Sequence, residues 1–179
     1  MHINISSLSK HLESLNHLLN SFQSLKIIGV SETRINEINK RSSNFDIQGY
    51  SLISNPTEAA AGGTALYILK SLTFKPREDL AKSVYRSKLL ESTFVEIECR
   101  KKADIIVGCL YKHPVMSKGD FNDNFLANLL EKINREGKRL ILLGFVDILQ
   151  SSLITLTINL PTRIISQSST LIDLSLIHI

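Results

Sequence analysis

Cysteine is scarce in this chain. Only Cys99 and Cys109 occur among 179 residues, and both lie in apolar runs typical of strands. Two such residues favour reduced core thiols over a disulfide framework or a cysteine-based metal cluster. We therefore expect an intracellular protein, nuclear or cytoplasmic rather than secreted.

Long apolar runs are also lacking. No run approaches the roughly 18 residues that a membrane-spanning helix requires. Met1–Lys10 has neither the basic start nor the apolar centre of a signal peptide. No internal repeat is visible, which argues against a solenoid or a propeller. The sequence therefore predicts no membrane partner and no repeat architecture.

Charge of one sign is only slightly in excess. Lys and Arg number 21 against 17 acidic residues, giving a net charge of +4. Hydrophobic residues make up 43% and charged residues 21%, proportions typical of a globular protein. The length suits a single domain with a real core. The mild basic excess permits a polyanionic partner without requiring one.

The first part of the chain has the pattern strand, helix, strand. His2–Ile5 alternates like a short strand, Leu8–Ser24 has an apolar helical face, and the apolar run Leu25–Val30 leads to Glu32. A carboxylate at the carboxyl end of such a strand lies where α/β sheets usually bind ligands, and it suits a hard divalent cation. By position alone, however, most acidic residues after a strand are solvated loop residues.

The remaining pattern predicts a mixed α/β layered sandwich. An amphipathic helix is predicted over Asp120–Glu136, and loops over Asn36–Asn44 and Leu72–Lys88. Strands are predicted over Phe45–Ser54, Thr64–Leu69, Ser92–Cys99, Asp104–Tyr111 and Arg139–Gly144.

The strand ending at Tyr111 offers a second candidate site residue. Pro114 follows shortly and stops strand pairing, which leaves Tyr111 near the same rim as Glu32. An aromatic residue at a strand end also commonly serves packing. Both interpretations stay open on these residues alone.

Several short motifs, in this order, resemble the endonuclease/exonuclease/phosphatase superfamily. The likeness is greatest to the apurinic-endonuclease-like domain of non-LTR (LINE-type, jockey-like) retrotransposons. The motifs span nearly the whole chain and comprise Asn4–Leu8, Ile28–Thr33, Gly62–Ile68, Tyr111–Pro114, Leu140–Gly144, Pro161–Arg163 and Ser169–Asp173.

This resemblance implies a sandwich of two mixed β-sheets flanked by helices. It implies Mg²⁺- or Mn²⁺-dependent hydrolysis of DNA phosphodiesters, on a chain that also carries a reverse transcriptase domain in intact relatives. By the same resemblance, Asn4 orders the metal and phosphate site and Glu32 binds the cation. Tyr111 contacts the scissile phosphate, and Asp173 orients a catalytic histidine. Lys112 stands where the family has Arg, so a point charge replaces a bidentate phosphate contact.

One departure from the family pattern concerns the catalytic Gly-Asp-Phe-Asn motif. Here Gly144 is followed directly by Phe145, as though the Asp and the Asn had been lost, and Asp147 matches a later, non-catalytic position. The literal string Gly119–Asn122 is no replacement, because no buried strand precedes it and it opens a predicted helix. We therefore expect an impaired copy.

The second departure lies at the end of the chain. The family has a further strand bearing Ser-Asp-His, which the sequence does not reach. Leu174–Ile179 resembles a translated sequencing adapter, and His178 within it is no convincing substitute for the catalytic histidine. We therefore expect a domain over residues 1–173 that lacks the C-terminal strand, followed by an artefactual tail over 174–179.

Alternative interpretations belong to other classes. One is a non-catalytic nucleic-acid-binding remnant, for which a steep salt dependence of DNA binding is expected. Another is a phosphatase or phosphodiesterase acting on small phosphoesters, because one fold supports many activities. A further possibility is that the chain is not stably folded, because an unpaired sheet edge is left exposed.

Overall fold

The computed structural model describes residues 1–22, 24–100, 102–117 and 125–145, together with the backbone of four short strands between residues 154 and 178. Two β-sheets pack against each other, and helices cover their outer faces. Each sheet contains both parallel and antiparallel pairs, so both are mixed sheets.

The first sheet contains the first four strands of the chain. It is formed in the order β1-β2-β4-β3 by β1 (His2–Asn4), β2 (Ile27–Ser31), β3 (Tyr50–Asn55) and β4 (Thr64–Leu69). β1 and β2 are parallel, and the other neighbours are antiparallel. A parallel pair needs a crossover, which the first helix supplies.

The second sheet has the order β5-β6-β7-β8-β12-β9. Its strands are β5 (Phe74–Pro76), β6 (Leu90–Ile97), β7 (Ile105–Lys112), β8 (Arg139–Phe145), β9 (Ile154–Leu156) and β12 (Asp173–His178). Only β7 and β8 are parallel. A separate pair is formed by β10 (Arg163–Ile165) and β11 (Ser168–Thr170).

The helices cover opposite outer faces. The apolar residues Leu8, Leu15 and Leu19 of α1 (Leu8–Ser21) are buried in a cluster with β2 and β4. On the other side, α3 (Glu78–Val84) and α4 (Ala127–Arg135) pack on β6, β7 and β8. A shorter helix, α2 (Glu37–Ser42), follows β2 and has no buried residue.

The core between the sheets is closely packed. It consists of Leu66, Ile68, Val95, Ile97, Val107, Cys109 and Leu143. A Cβ at Gly29 of β2 would lie 3.0 Å from the Leu143 side chain, so a larger residue there would push the sheets apart. Cys109 is buried and Cys99 half-buried, and neither forms a disulfide bond.

The structure corrects the loop predicted over Asn36–Asn44. This segment contains α2, because Asn36 and Asn39 form a reciprocal capping box at its first turn. The Asn36 side chain accepts from the backbone of Ile38 and Asn39, and the Asn39 side chain accepts from the backbone of Asn36. The capping stabilises a polar helix whose sequence has no apolar period.

The loop predicted over Leu72–Lys88 is also wrong, because the segment contains β5 and α3. Leu80 and Val84 are buried, and Arg77 between the two elements is only 9% exposed. The segment's basic character concealed these packed residues. The strand predicted over Phe45–Ser54 begins only at Tyr50. Phe45 and Ile47 lie in the preceding loop, and their apolar side chains are buried there without belonging to a strand.

Arg77 is the centre of a cluster of ion pairs. Its guanidinium contacts Glu96 on β6 at 2.8 Å, Glu136 after α4 at 2.7 Å and Asp79 at 2.8 Å. Lys138 contacts both Glu96 and Glu136. Glu96 is therefore a buried, paired residue. The cluster joins α3 and the end of α4 to the second sheet.

The remaining predicted elements agree with the structure within a few residues. Residues 120–124 of the helix predicted over Asp120–Glu136 lie outside the described residues, and α4 lies within the remainder. Strand β12 includes most of the segment expected to be an artefactual tail. Within the described residues, no helix has the length and apolar character needed to span a membrane.

Candidate active site

The ends of several strands meet at one edge of the sandwich. In the first sheet the parallel pair β1 and β2 aligns Asn4 with Ser31, so Glu32 follows directly. In the second sheet the parallel pair β7 and β8 aligns Leu110 with Gly144, so Tyr111 follows directly. Because parallel strands end at the same edge, each sheet delivers polar side chains there.

Asn4 and Glu32 are in direct contact. The Asn4 Nδ2 donates a hydrogen bond to Glu32 Oε1 over 2.9 Å, and its Oδ1 accepts from the backbone N–H of Ser6 over 3.2 Å. The amide is therefore fixed at both ends. Glu32 is half-buried and has a backbone φ of 52°, which is uncommon for a residue with a side chain.

Tyr111 joins the same group from the opposite sheet. Its side chain is buried, at 8% exposure. Burial, followed by the charge of Glu32 and a hydrogen bond to it, raises the pKa of Tyr111 to about 12. The phenol therefore keeps its proton at neutral pH, and the structure brings Asn4, Glu32 and Tyr111 together as the sequence predicts.

Arg34 is a neighbouring cation that sequence reasoning did not single out. It is exposed, and its positive charge partly opposes the rise in the pKa of Tyr111. Its backbone φ of 54° repeats the left-handed conformation of Glu32 two residues earlier. The signal was present in the sequence as a guanidinium two positions after the candidate metal ligand.

Lys112, the residue predicted to contact phosphate, makes a contact within its own loop. Its Nζ donates to the Met116 carbonyl over 2.7 Å. The backbone of Lys112 pairs with Leu90 at the start of β6. The ammonium thus contacts the loop after β7.

Asp173, the predicted histidine partner, is the first residue of β12. It pairs with Phe145, and the next pair is Leu174 with Gly144. Because Gly144 also aligns with Leu110, the backbone of Asp173 enters the second sheet at the same edge as Tyr111. Asp147 and Pro161–Thr162 lie outside the described residues.

Glu91 is a buried carboxylate at this edge that the sequence analysis missed. It pairs with Tyr111 across β6 and β7 and is 3% exposed. Its oxygens accept hydrogen bonds from the Thr57 hydroxyl, over 2.5 Å, and from the backbone N–H of Gly63. The only signal in the sequence was an acidic residue just before a predicted strand.

His113 lies against both residues. Its Nε2 is 3.8 Å from Glu91 Oε1, an ion pair when the imidazole is protonated. Its ring meets the Tyr111 ring edge-on, with centroids 4.7 Å apart. His113 is 9% exposed, and within the described structure its Nε2 has no hydrogen-bond partner.

A divalent cation fits the donors at this edge. Mg²⁺ is usually held by one or two carboxylates, with waters and substrate phosphate completing the shell. Glu32 supplies a half-buried carboxylate that Asn4 already orients. No cluster of three or more His, Cys, Asp and Glu residues suited to a metal occurs in the described part of the chain. A single carboxylate leaves most coordination positions of such a cation to water or to a ligand.

Comparison with known proteins gives matches at the level of structure only. No protein-family model matches the sequence, and no curated protein sequence matches it. Solved structures match with high probability.

Three of these structures show the range of the likeness. The endonuclease domain of TRAS1, a telomere-specific non-LTR retrotransposon, has a TM-score of 0.62 at 12% identity, over 98% of this chain and 83% of that one. TDP2 from D. rerio, complexed with a single-strand DNA product, has a TM-score of 0.65 at 8% identity, over 98% and 81%. A mannosyl-6-phosphatase of Bacteroides thetaiotaomicron has a TM-score of 0.61 at 11% identity, over 98% of this chain and 83% of that one.

These identities establish the fold alone. The chain has the endonuclease/exonuclease/phosphatase fold, with two mixed sheets flanked by helices, as the motifs predict. Proteins of this fold include nucleases and phosphatases, so the activity must be argued from the site.

Proposed function

We propose that this chain is a divalent-cation-dependent DNA endonuclease domain of the retrotransposon type, with impaired activity. The observation that carries the proposal is the convergence of Asn4, Glu32 and Tyr111 at one sheet edge, through a 2.9 Å hydrogen bond and a hydrogen-bonded phenol. The likeness to a retrotransposon endonuclease domain over 98% of the chain supports it. By the resemblance of the motifs, DNA is the partner, inside the cell, and a reverse transcriptase domain belongs to the same protein in intact relatives.

The roles of the residues follow from their contacts. Glu32 holds the cation, Mg²⁺ or Mn²⁺, and Asn4 keeps the carboxylate in one orientation by donating to it. The bound cation would stabilise negative charge on a phosphoryl oxygen. Tyr111, protonated at neutral pH, donates its hydroxyl hydrogen to an anionic neighbour, which is Glu32 in the free protein and a phosphate oxygen when DNA is bound.

Arg34 supplies positive charge at the same place. Its guanidinium is exposed and lies within electrostatic range of Tyr111. The Lys112 ammonium donates to a backbone carbonyl, so we assign Arg34 the stronger phosphate contact. A guanidinium also binds phosphate through two parallel hydrogen bonds, which an ammonium does not.

The impairment follows from Gly144 and Phe145. Gly144 on β8 pairs with Leu110 on β7, which is the residue before Tyr111. The next residue on β8 therefore stands at the same sheet edge as Tyr111. That residue is Phe145, where the family motif has Asp. A phenyl group offers no oxygen ligand to Mg²⁺ and cannot accept a proton from water. Losing one member of a catalytic unit costs orders of magnitude in rate, even where substrate binding survives.

A non-catalytic DNA-binding remnant is the second candidate. The same Gly144–Phe145 sequence favours it, together with the net charge of +4. It differs from the first candidate in one observable: a labelled duplex binds with a steep salt dependence but is not cut.

The test is nicking of supercoiled plasmid in Mg²⁺. We expect slow nicking by the natural chain, none by Glu32→Gln, and faster nicking by a variant with the Gly-Asp-Phe-Asn motif restored after Leu143. Nicking that Glu32→Gln leaves unchanged contradicts the proposed site. Binding without any cutting, in the restored variant too, supports the remnant, and preferential hydrolysis of a small phosphoester supports a phosphatase.

A further inference from the structure

The contacts of Glu91 connect the two sheets at the active edge. Glu91 belongs to β6 of the second sheet, whereas both of its hydrogen-bond donors, Thr57 and Gly63, belong to the loop that leads into β4 of the first sheet. The carboxylate is 3% exposed, so these are desolvated, charge-assisted bonds. Such bonds are roughly twice as strong as neutral ones.

The loop that Glu91 holds is bonded in turn to the segment after Glu32. The Thr33 N–H donates to the Gly63 carbonyl over 3.2 Å, and the Arg34 N–H donates to the Gly62 carbonyl over 2.9 Å. Gly63 therefore accepts from Thr33 at its carbonyl and donates to Glu91 at its N–H. A continuous path of hydrogen bonds joins Glu91 to the residue adjacent to Glu32.

The backbone along this path is strained. Glu32 and Arg34 have φ values of 52° and 54°, a conformation that costs free energy and persists only where neighbours hold it. Gly62 and Gly63 have φ values of 122° and 84°, which glycine adopts readily. A Cβ at Gly62 would collide with Glu91 Oε2, so the loop and the carboxylate fit against each other without spare room.

We propose that Glu91 is a positioning residue that fixes the metal ligand Glu32 through the Gly62–Gly63 loop. The inference rests on the proposed function only in taking Glu32 as the metal ligand. Glu91 itself touches neither cation nor phosphate in this arrangement, because its oxygens accept from Thr57 and Gly63. Its effect on catalysis is exerted through the orientation of Glu32.

The test compares Glu91→Gln with two matched controls in the full chain. Glu96→Gln changes another buried carboxylate on the same strand, whose partners belong to the Arg77 cluster rather than to the loop. Glu58→Gln changes an exposed carboxylate within the loop itself. Circular dichroism and urea unfolding establish that each variant is folded.

The first readout is the dissociation constant for Mn²⁺. Residues that orient a metal ligand typically contribute about 10- to 100-fold to metal affinity. We expect at least a tenfold weakening in Glu91→Gln and less than about a twofold change in both controls. Equal Mn²⁺ affinity in Glu91→Gln and the natural chain overturns the inference, while leaving the proposed function intact.

The second readout needs no metal. Amide hydrogen exchange of Gly63 and Arg34 reports the path of hydrogen bonds directly, and we expect faster exchange at both amides in Glu91→Gln but not in Glu96→Gln. Unchanged exchange at Gly63 overturns the inference. Failure of the natural chain to bind Mn²⁺ overturns the proposed function instead, and the exchange rates still decide whether Glu91 holds the loop.

Discussion

The side chains of Asn4 and Glu32, 28 positions apart, are joined by a 2.9 Å hydrogen bond at the ends of two adjacent parallel strands. The bond orients the Glu32 carboxylate, which also interacts with Tyr111 across the edge of the sandwich. The amide of Asn4 thereby determines the direction of the proposed metal ligand. The predictions below follow from this geometry and from the elements that support it.

Removing the Asn4 amide should weaken cation binding. In Asn4→Ala the Glu32 carboxylate loses its donor and samples other rotamers, so we expect the Mn²⁺ affinity to fall by about tenfold. Isothermal titration calorimetry measures this. Asn16→Ala, on the exposed face of α1, is the control and should bind as the natural chain does. An unchanged affinity in Asn4→Ala contradicts an orienting role.

Removing the charge of Glu32 should lower the pKa of Tyr111. A nearby negative charge disfavours the phenolate, so in Glu32→Gln the pKa should fall from about 12 towards the ordinary value of about 10. NMR titration of ring-labelled tyrosine measures the shift.

The matched control for this titration is Asp46→Asn. Asp46 raises the pKa of Tyr67 and is not among the charges that act on Tyr111. The Tyr111 titration should be unaltered in this variant. If Glu32→Gln also leaves it unaltered, Tyr111 and Glu32 are not in contact.

Gly62→Ala should destabilise the protein more than alanine at another left-handed glycine. At Gly62 the added methyl group would clash with Glu91, and the backbone φ is also unfavourable for alanine. At Gly49, with φ of 85°, a Cβ meets nothing within 4 Å, so only the backbone conformation is unfavourable. Backbone strain alone costs about 1 to 3 kcal/mol. We expect Gly49→Ala to show only that cost in urea unfolding and Gly62→Ala to exceed it. Equal losses would mean that Glu91 moves aside freely.

The Arg77 cluster should make stability depend on acid pH. Hydrogen bonds lower the pKa of Glu136 to about 2, although burial opposes the shift. The hydrogen bond from Arg77 contributes most. Burial raises the pKa of Glu96, but hydrogen bonds from Lys138, Lys75 and Arg77 outweigh it and lower the pKa to about 2. Both pKa values lie below the ordinary 4.5, so the stabilisation is complete above about pH 5 and is lost as the pH falls towards 2.

Arg77→Met tests this assignment. Breaking a buried ion pair costs about 3 to 5 kcal/mol, so we expect that loss at neutral pH and a shallower decline of the unfolding free energy in acid. Arg41→Met is the control, because Arg41 and its partner Glu37 are 83% and 68% exposed at 4.0 Å. It should change neither quantity by more than about 0.5 kcal/mol. If the free energy of unfolding declines in acid as steeply in Arg77→Met as in the natural chain, the assignment is contradicted.

The sequence predicted the meeting of Asn4, Glu32 and Tyr111 at one sheet edge better than it predicted the structure that supports them. Asn4, Glu32 and Tyr111 follow strands with clear apolar patterns, and strand ends in an α/β sandwich meet at one edge. Glu91 has no such pattern, since its importance comes from neighbours far along the chain. Long-range contacts of this kind, such as Glu91 with Gly63, leave no local periodicity.

The missed helices have a similar explanation. The α2 segment has no apolar face and depends on the Asn36 and Asn39 capping box, which the sequence analysis did not consider. The α3 helix lies in the segment Leu72–Lys88, whose excess of basic over acidic residues indicated solvent exposure. Only the acidic partners on β6 and after α4 show that Arg77 is buried.

The most direct test of the central claim is electron paramagnetic resonance of Mn²⁺ in the presence of the natural chain, Glu32→Gln and the exposed control Glu37→Gln. The claim is that Glu32, oriented by Asn4 and facing Tyr111, holds a divalent cation against a phosphodiester. We predict bound Mn²⁺ in the natural chain and in Glu37→Gln, tighter binding when a DNA duplex is added, and loss of both effects in Glu32→Gln. Equal Mn²⁺ binding by Glu32→Gln and the natural chain, with and without DNA, would contradict the account.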